Sequence, residues 1–271
     1  METFDVTSLR NLYKPASSSH KGQNGKLLLI GGSNLFHAAS LWSLKIASRI
    51  VDMVFYSSVP QNNEIVAKAK EEFRDGIVVP RERLEDYIGE SDCILIGPGM
   101  PRADGEEKGD DDTKTLTERL LTKYPDKKWV IDGGSLQTIQ SSVLPKHAIV
   151  TPHPREFEML FGKKPTGEIA VEIARKLGIT ILLKGEKDLV CSPNQCMEIS
   201  GGNAGMTKGG TGDVLAGLVA GLYCKNDAFL SAAAGSYINK KAGESLFKKV
   251  GLYFNASDLA NEIPVVMREL L

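Results

Sequence analysis

The sequence predicts an α/β fold, a three-layer sandwich with a mostly parallel central sheet flanked by helices. Three observations predict it. Short, nearly continuous apolar runs alternate with helix-spaced patterns, as parallel strands buried on both faces require. Four of those runs end in Gly-, Pro- or Lys-containing turns, where open α/β sheets hold their ligands. The chain of 271 residues is 42% hydrophobic, enough for one substantial core, and no repeat, Pro-rich linker or compositional break divides it. A single domain over residues 1–271 is the simplest expectation.

Strands are expected at Lys26–Ile30, Met53–Tyr56, Gly76–Val79, Cys93–Ile96, Trp129–Ile131, Ala148–Val150 and Thr180–Leu183. Helical spacing of apolar residues marks Phe36–Val51, Asn62–Phe73, Lys114–Lys123, Arg155–Phe161 and Gly167–Leu177 between them. Asp188–Cys191 and Gln195–Ile199 read as a hairpin around Ser192-Pro193-Asn194. The remainder is helical: Asp213–Cys224, Ala228–Phe247 and Ala256–Leu270. Residues 1–20, with Ser17-Ser18-Ser19, read as weakly ordered or peripheral. The acidic run Asp104–Asp112 reads as a solvated, mobile loop rather than a metal site.

Charge and cysteine content narrow the function. A net charge of −1 gives no basic surface for nucleic acid. No segment approaches the ~20 apolar residues of a membrane span, and the acidic start Met1-Glu2-Thr3-Phe4-Asp5 is no secretory leader, so the cytoplasm is the default compartment. The four cysteines, Cys93, Cys191, Cys196 and Cys224, form no CxxC pair and do not cluster with the histidines. Buried free thiols fit them better than structural zinc.

The most informative stretch is Asn203 to Gly217. Gly209, Gly210 and Gly212 shape a loop that runs, through Thr211, into a helix patterned by Val214, Leu215, Leu218, Val219 and Leu222. Exposed N–H groups at such a start form an anion site, and glycine lets a phosphate approach them. Asp213 falls in the first turn. An aspartate repels a bound phosphate, so its presence points to work on a hydroxyl about to meet that phosphate. Ala216, Gly217, Ala220 and Gly221 let this helix approach a neighbour closely. As a lone motif, Gly-Thr-Gly-Asp also describes a capped turn.

The strand ends supply the rest. They carry Gly31-Gly32-Ser33-Asn34 before a helix holding Ala38, then Gly97-Pro98-Gly99, Thr151-Pro152-His153-Pro154-Arg155-Glu156, and Lys184-Gly185-Glu186-Lys187-Asp188. Each alone reads as a turn, and His153 alone as a surface residue, yet the flanking prolines fix its backbone. Lys184 closes a buried strand, where a ligand phosphate is a natural partner. Gly97-Pro98-Gly99 lacks the third glycine of a dinucleotide fingerprint, and no Walker A, HExxH or kinase His-Arg-Asp motif occurs.

Taken in order, Gly31-Gly32-Ser33, Gly97-Pro98-Gly99, the Thr151–Glu156 segment, Leu183-Lys184-Gly185 and Gly209–Leu215 resemble the nucleotide-dependent NAD(P)H-hydrate dehydratases, a branch of the ribokinase-like superfamily. The resemblance runs from about Lys21 to the C-terminus. It implies a ribokinase-like sandwich and repair of hydrated NADH and NADPH (NADHX and NADPHX), in which ADP or ATP, with Mg²⁺, drives removal of water from C6 of the nicotinamide ring. It implies Asp213 as the catalytic residue, with Ala38, Gly99, His153 and Asp213 meeting the hydrated dinucleotide. Lys184, Gly185, Glu186, Lys187 and Asp188, with Gly209, Gly210, Thr211 and Gly212, would meet the nucleotide, and no side chain is assigned to a metal. It further implies a homo-oligomer, a tetramer in the family, working beside a separate NAD(P)HX epimerase, since this chain has no room for the fused epimerase domain of many bacterial members. Three positions depart from the family pattern: Arg155 for glycine, Gly134 for the second acid of Asp-Ala-Asp, and Asp188 for threonine. Two other readings stand beside it: a ribokinase-like small-molecule kinase acting on a vitamin precursor, and a non-catalytic nucleotide sensor.

Overall fold

A computed structural model describes residues 2–69, 76–102, 105 and 107–271. Its strands are Glu2–Thr3 (β1), Lys26–Ile30 (β2), Met53–Ser57 (β3), Ile77–Val78 (β4), Cys93–Ile96 (β5), Lys128–Ile131 (β6), Ile149–Val150 (β7), Thr180–Leu183 (β8), Asp188–Cys191 (β9) and Cys196–Ile199 (β10). They form one sheet in the order β1-β10-β9-β8-β7-β6-β5-β2-β3-β4. From β8 to β4 every neighbouring pair is parallel, while β9 is antiparallel to both β8 and β10. The ends of β2, β5, β6, β7 and β8 therefore open onto a single edge of the sheet.

The helices are His37–Ala47 (α1), Pro60–Ala69 (α2), Leu84–Glu90 (α3), Thr113–Lys123 (α4), Gly133–Thr138 (α5), Pro154–Phe161 (α6), Gly167–Leu177 (α7), Thr211–Tyr223 (α8), Ala228–Val250 (α9) and Ala256–Leu270 (α10). Alternation along each strand sorts them into layers. Leu28, Ile30, Ile94, Ile96, Trp129 and Ile131 face a core closed by Leu84 and Ile88 of α3, Leu120 of α4, Leu136 of α5, Phe157 of α6 and Ile173 of α7. Leu27, Leu29, Leu95, Val130 and Leu182 face the other way, against Leu44 of α1, Leu215 and Val219 of α8 and Ala232 of α9. Outside that layer, α10 buries Leu259 and Ile263 against α1, α8 and α9. The small residues of α8 serve the packing expected of them. A Cβ on Gly217 would lie 2.5 Å from the Ser43 carbonyl of α1, so any larger residue pushes these two helices apart.

Several expectations are corrected. Cys191 and Cys196 are not free thiols. They sit opposite one another across β9 and β10 and are joined as a disulfide, while Cys93 and Cys224 are free and buried. The N-terminal residues are not uniformly peripheral, because Glu2–Thr3 pairs in parallel with β10, and Leu9 and Leu12 are buried. The acidic run is not simply solvated: Asp110 accepts from the Asn34 N–H at 2.8 Å, and Asp111 pairs with Arg81 at 2.5 Å. Asp104 and Glu106 of that run, and residues 70–73 of the helix expected from Asn62, lie outside the described residues. Two short helices, α3 and α5, form where none was expected, and the strand expected at Gly76–Val79 shrinks to Ile77–Val78.

Candidate active site

The loop before α8 ends at Gly210, the N-cap of the helix, in the left-handed region at φ 93° and without any side-chain cap. A Cβ there would lie 2.4 Å from the Trp42 ring, so both conformation and space demand glycine. Thr211 braces the turn by donating its Oγ1 hydroxyl to the Met206 and Lys208 carbonyls at 2.6 and 2.9 Å. Asp213 is thus not a cap. It stands in the first helical turn, with its carbonyl accepting from Ser43 Oγ of α1 at 2.7 Å. That bond ties the α8 start to the helix that carries Ala38.

Three other elements converge on Asp213. Asp132 follows β6 and is 2% exposed; its Oδ1 accepts from Thr151 Oγ1 at 2.7 Å and from Lys184 Nζ at 2.9 Å. Glu156 of α6 is 4% exposed, 3.9 Å from the same ammonium, and accepts from Gln137 Nε2 at 2.9 Å. Lys184 follows β8, and its Nζ lies 3.5 Å from where a Cβ on Gly212 would stand. One ammonium therefore faces three carboxylates. Burial, then the like charge of Asp132, push the Asp213 carboxyl up to about 7, against the pull of Lys184. Burial would lower the Lys184 ammonium, but Asp132, Glu156 and Asp213 together outweigh it and hold it above the ordinary lysine range. Lys184 was expected to reach for a nucleotide phosphate; in this structure its ammonium rests on Asp132. Asp132, Glu156 and Thr151 were not singled out as site side chains from the sequence.

His153 caps α6, its Nδ1 accepting from the Glu156 N–H at 3.2 Å while Glu156 Oε2 accepts from the His153 N–H at 2.9 Å. That reciprocal capping box leaves the imidazole half-exposed beside Glu156. Gly99 approaches the start of α1 where the β5 turn crosses it: a Cβ on Gly99 would lie 2.5 Å from the Phe36 carbonyl and 3.0 Å from Ala39, the neighbour of Ala38 in sequence.

Lys184 also lines a cavity of about 690 Å³, together with Gly185 to Asp188, Gly201 to Ala204, Met206, Thr211, Gly212, Leu215, Asn239 and Lys240, among others. Gly209 and Gly210 shape its loop without lining it. Asp188 accepts from the Gly185 N–H at 2.9 Å and Ser236 Oγ at 2.7 Å, and pairs with Lys240 at 3.3 Å. Its carboxylate is committed to holding this turn on α9.

The departures from the family pattern acquire causes. At 134 a Cβ would lie 2.0 Å from the Met100 carbonyl, so no acidic side chain fits between α5 and the β5 turn. At 188 the carboxylate answers the buried Lys240. Arg155 is exposed and makes no ion pair among the described residues; nothing in the structure explains it.

Comparison with known proteins agrees with this geometry. A family model described as NAD(P)H-hydrate dehydratase matches residues 27–265. The bifunctional NAD(P)H-hydrate repair enzyme of Methanocaldococcus jannaschii is 36% identical over 270 residues, covering 96% of this chain and 51% of that protein. The chain thus spans about half of that relative. The ADP-dependent (S)-NAD(P)H-hydrate dehydratase of Nitrosopumilus maritimus is 36% identical over 287 residues, covering 97% of this chain and 96% of that one. Among solved structures, a ribokinase-like superfamily protein from Enterococcus faecalis superposes with a TM-score of 0.85 at 23% identity, covering 99% of this chain and 96% of that one. The ADP/ATP-dependent NAD(P)H-hydrate dehydratase of Bacillus subtilis, co-crystallised with ATP/Mg²⁺, superposes at 0.81 and 23% identity, covering 100% and 99%. At that identity the structures show the ribokinase-like fold, and the sequence matches show the lineage: the chain belongs to the NAD(P)H-hydrate dehydratase family.

Proposed function

We propose that this protein removes the added water from hydrated NADH and NADPH, using ADP or ATP as phosphoryl donor. The observation that carries the reading is the placement of Asp213. A buried acid with a raised pKa stands at a glycine-built helix start, beside Lys184 and directly after Thr211 and Gly212, which line a nucleotide-sized cavity. An acid held near 7 is matched to taking a proton at neutral pH.

In this reading the nucleotide lies in the cavity with its terminal phosphate at the Gly212 N–H and Lys184. Those donors stabilise charge on the transferring phosphoryl group. Ionised Asp213 takes the proton of the C6 hydroxyl as that oxygen bonds to phosphorus and the bond to the nucleotide's bridging oxygen breaks. ADP leaves AMP, and ATP leaves ADP. The ring-nitrogen lone pair then expels phosphate from C6, and loss of a proton from C5 restores the dihydropyridine. His153, oriented by Glu156, hydrogen-bonds the dinucleotide.

Mg²⁺ fits as an ion carried by the nucleotide phosphates rather than by a protein cage. Among the described residues no three His, Cys, Asp or Glu side chains are placed to hold one metal ion, and Asp132 Oδ1 is already taken by Thr151 and Lys184. Asp132 and Glu156 would serve its water shell, and the bound ion would spread phosphoryl charge. Among the described residues no helix is long and apolar enough to cross a membrane. The same reading includes a cytoplasmic homotetramer of single-domain chains working beside a separate epimerase.

Incubation with hydrated NADH, Mg²⁺ and ADP or ATP tests the proposal. The expected result is growth of the reduced-nicotinamide absorbance with one inorganic phosphate per turnover. A stable phosphorylated product without NADH would establish the kinase reading instead, and no turnover with any nucleotide would favour the sensor.

A further inference from the structure

Gly210, the N-cap of α8, is held by two helices. A Cβ there would lie 2.4 Å from Cε3 and Cζ3 of Trp42 and 2.7 Å from the Ala256 Cβ, so an indole edge from α1 and the first residue of α10 close on the turn. Neither residue lines the cavity. The indole is itself pinned, its Nε1 donating to Ser257 Oγ of α10 at 3.0 Å. The same loop is tied to the approach to α10 by Lys208 Nζ, which donates to the Leu252 and Phe254 carbonyls. On α1 the residue after Trp42 is Ser43, which holds the Asp213 carbonyl. Successive residues of α1 thus hold the α8 start at two points.

Filling space does not require this arrangement. Trp42 is half-buried beside the apolar core that α10 closes, and a leucine would cover that core. The indole adds a rigid plane with a hydrogen-bonding edge, which fixes the ring against Gly210. The direction of the first α8 N–H groups depends on that turn. They have no acceptor within the helix, and the glycine N-cap offers no side chain to take them. Gly212, two residues on, lines the cavity. A glycine turn in the left-handed region is free to relax unless something backs it.

We propose that Trp42 is a positioning residue for phosphoryl transfer: pinned to Ser257, its indole backs the Gly210 turn and fixes the Gly212 N–H where charge develops on the transferring phosphoryl group. The proposal rests on the phosphoryl-transfer step of the reading above. Its effect belongs to the transition state, where a donor misplaced by about 1 Å costs about 10²-fold in rate.

Steady-state kinetics of Trp42→Leu, Ser257→Ala and Ser257→Thr with hydrated NADH, Mg²⁺ and ADP tests it, with thermal melting to show that each variant is folded at the assay temperature. Trp42→Leu should lower kcat about 10–100-fold, while the KM for hydrated NADH and the calorimetric affinity for ADP stay within about twofold. Ser257→Ala should lower kcat by about two- to tenfold, as loss of one neutral hydrogen bond implies, and Ser257→Thr, which keeps the hydroxyl, should retain the wild-type rate. A packing role alone would lower the melting temperature of Trp42→Leu and leave kcat of the folded enzyme unchanged, which overturns the proposal. A loss carried by KM or ADP affinity with kcat intact overturns it too. Should Trp42→Leu not fold, an unchanged kcat in Ser257→Ala overturns the proposal in its place. A stable phosphorylated product from the wild-type enzyme overturns the dehydratase reading alone, because the same kcat comparison then reads the kinase. Absence of turnover by the wild-type enzyme with any nucleotide overturns both.

Discussion

Two lysines, the half-buried Lys184 after β8 and the buried Lys240 on α9, line the same cavity and each pairs with an aspartate, yet their surroundings differ in kind. The Lys240 side chain is 7% exposed and faces one carboxylate, Asp188, together with carbonyl oxygens of Gly185, Glu186 and Gly201. Asp188 in turn takes Gly185 N–H and Ser236 Oγ. One positive charge meets one negative charge, and every partner is satisfied. Lys184, 19% exposed, faces Asp132 at 2.9 Å, Glu156 at 3.9 Å and the nearby Asp213. That site carries surplus negative charge, which the protein relieves by holding Asp213 partly protonated near neutrality. Burial and pairing are common to both lysines; the imbalance of charge separates a structural clamp from a reactive centre.

The largest expected effect tests the reactive side. Asp213→Asn should lower turnover by about 10²–10⁴ while ADP affinity, measured by titration, is retained. In the wild-type enzyme kcat/KM should fall as pH drops through about 7, because the base is then protonated. A profile that holds its rate down to pH 5 would show that the surplus charge does not act on Asp213. Stability carries the same signature. An acid whose pKa is raised by folding stabilises the native state below its unfolded value, and that contribution is lost as pH rises through about 7. Asp213→Asn should therefore raise the melting temperature more at pH 8 than at pH 5.

The other lysine breaks the comparison from the opposite direction. Lys240→Met leaves Asp188 buried without its counter-charge and should cost about 3–5 kcal/mol of stability, read by chemical denaturation. If that variant keeps its stability and loses only turnover, the two sites are not different in kind. Lys184→Met should instead weaken ADP and ATP binding by about 10–100-fold, the loss of one charge-assisted hydrogen bond. Affinity should become less salt-sensitive, and the acid limb of kcat/KM should move to higher pH, since the one group lowering Asp213 by its charge has gone. Unchanged affinity and salt slope would make Lys184 a partner of carboxylates only.

Why one lysine drew notice from the sequence and the other did not follows from what is local. The chain displays Lys184 at the end of an apolar run, as it displays Asp213 after a glycine run and before a helix period. Helices α7 and α10 end where expected because their signals are adjacent in sequence: Thr166 and Gly178 bracket one, and Asn255 caps the other. Partners are not local. Asp132 reaches Lys184 across 52 positions, and Asp188 meets Lys240 only because α9 lies along the hairpin. Helix α5 hides behind Gly133-Gly134, which reads as a loop until the Met100 carbonyl is seen to exclude any Cβ at 134. The Cys191–Cys196 bridge depends on hairpin register, and no spacing rule for metal or redox pairs would propose it.

The smallest effect isolates the charge imbalance itself. After burial, Asp132 is the leading cause that raises Asp213. Asp132→Asn removes that negative charge and keeps an oxygen able to accept from Thr151 Oγ1. Lys184 loses its nearest counter-ion and is left with Glu156 and Asp213. Both changes favour the ionised form of Asp213, so the acid limb of kcat/KM should move to lower pH. Burial persists, so the limb should not return to the range of an exposed aspartate. A role for Asp132 in scaffolding alone would lower kcat/KM at every pH and leave the limb where it was. Glu156→Gln provides the graded comparison. Its charge stands behind both Asp132 and Lys184 in its influence on Asp213, so its displacement of the limb should be in the same direction and smaller. An equal or larger displacement from Glu156→Gln would move the centre of the imbalance from the end of β6 to the start of α6, and His153 would then belong to the base's own electrostatic environment.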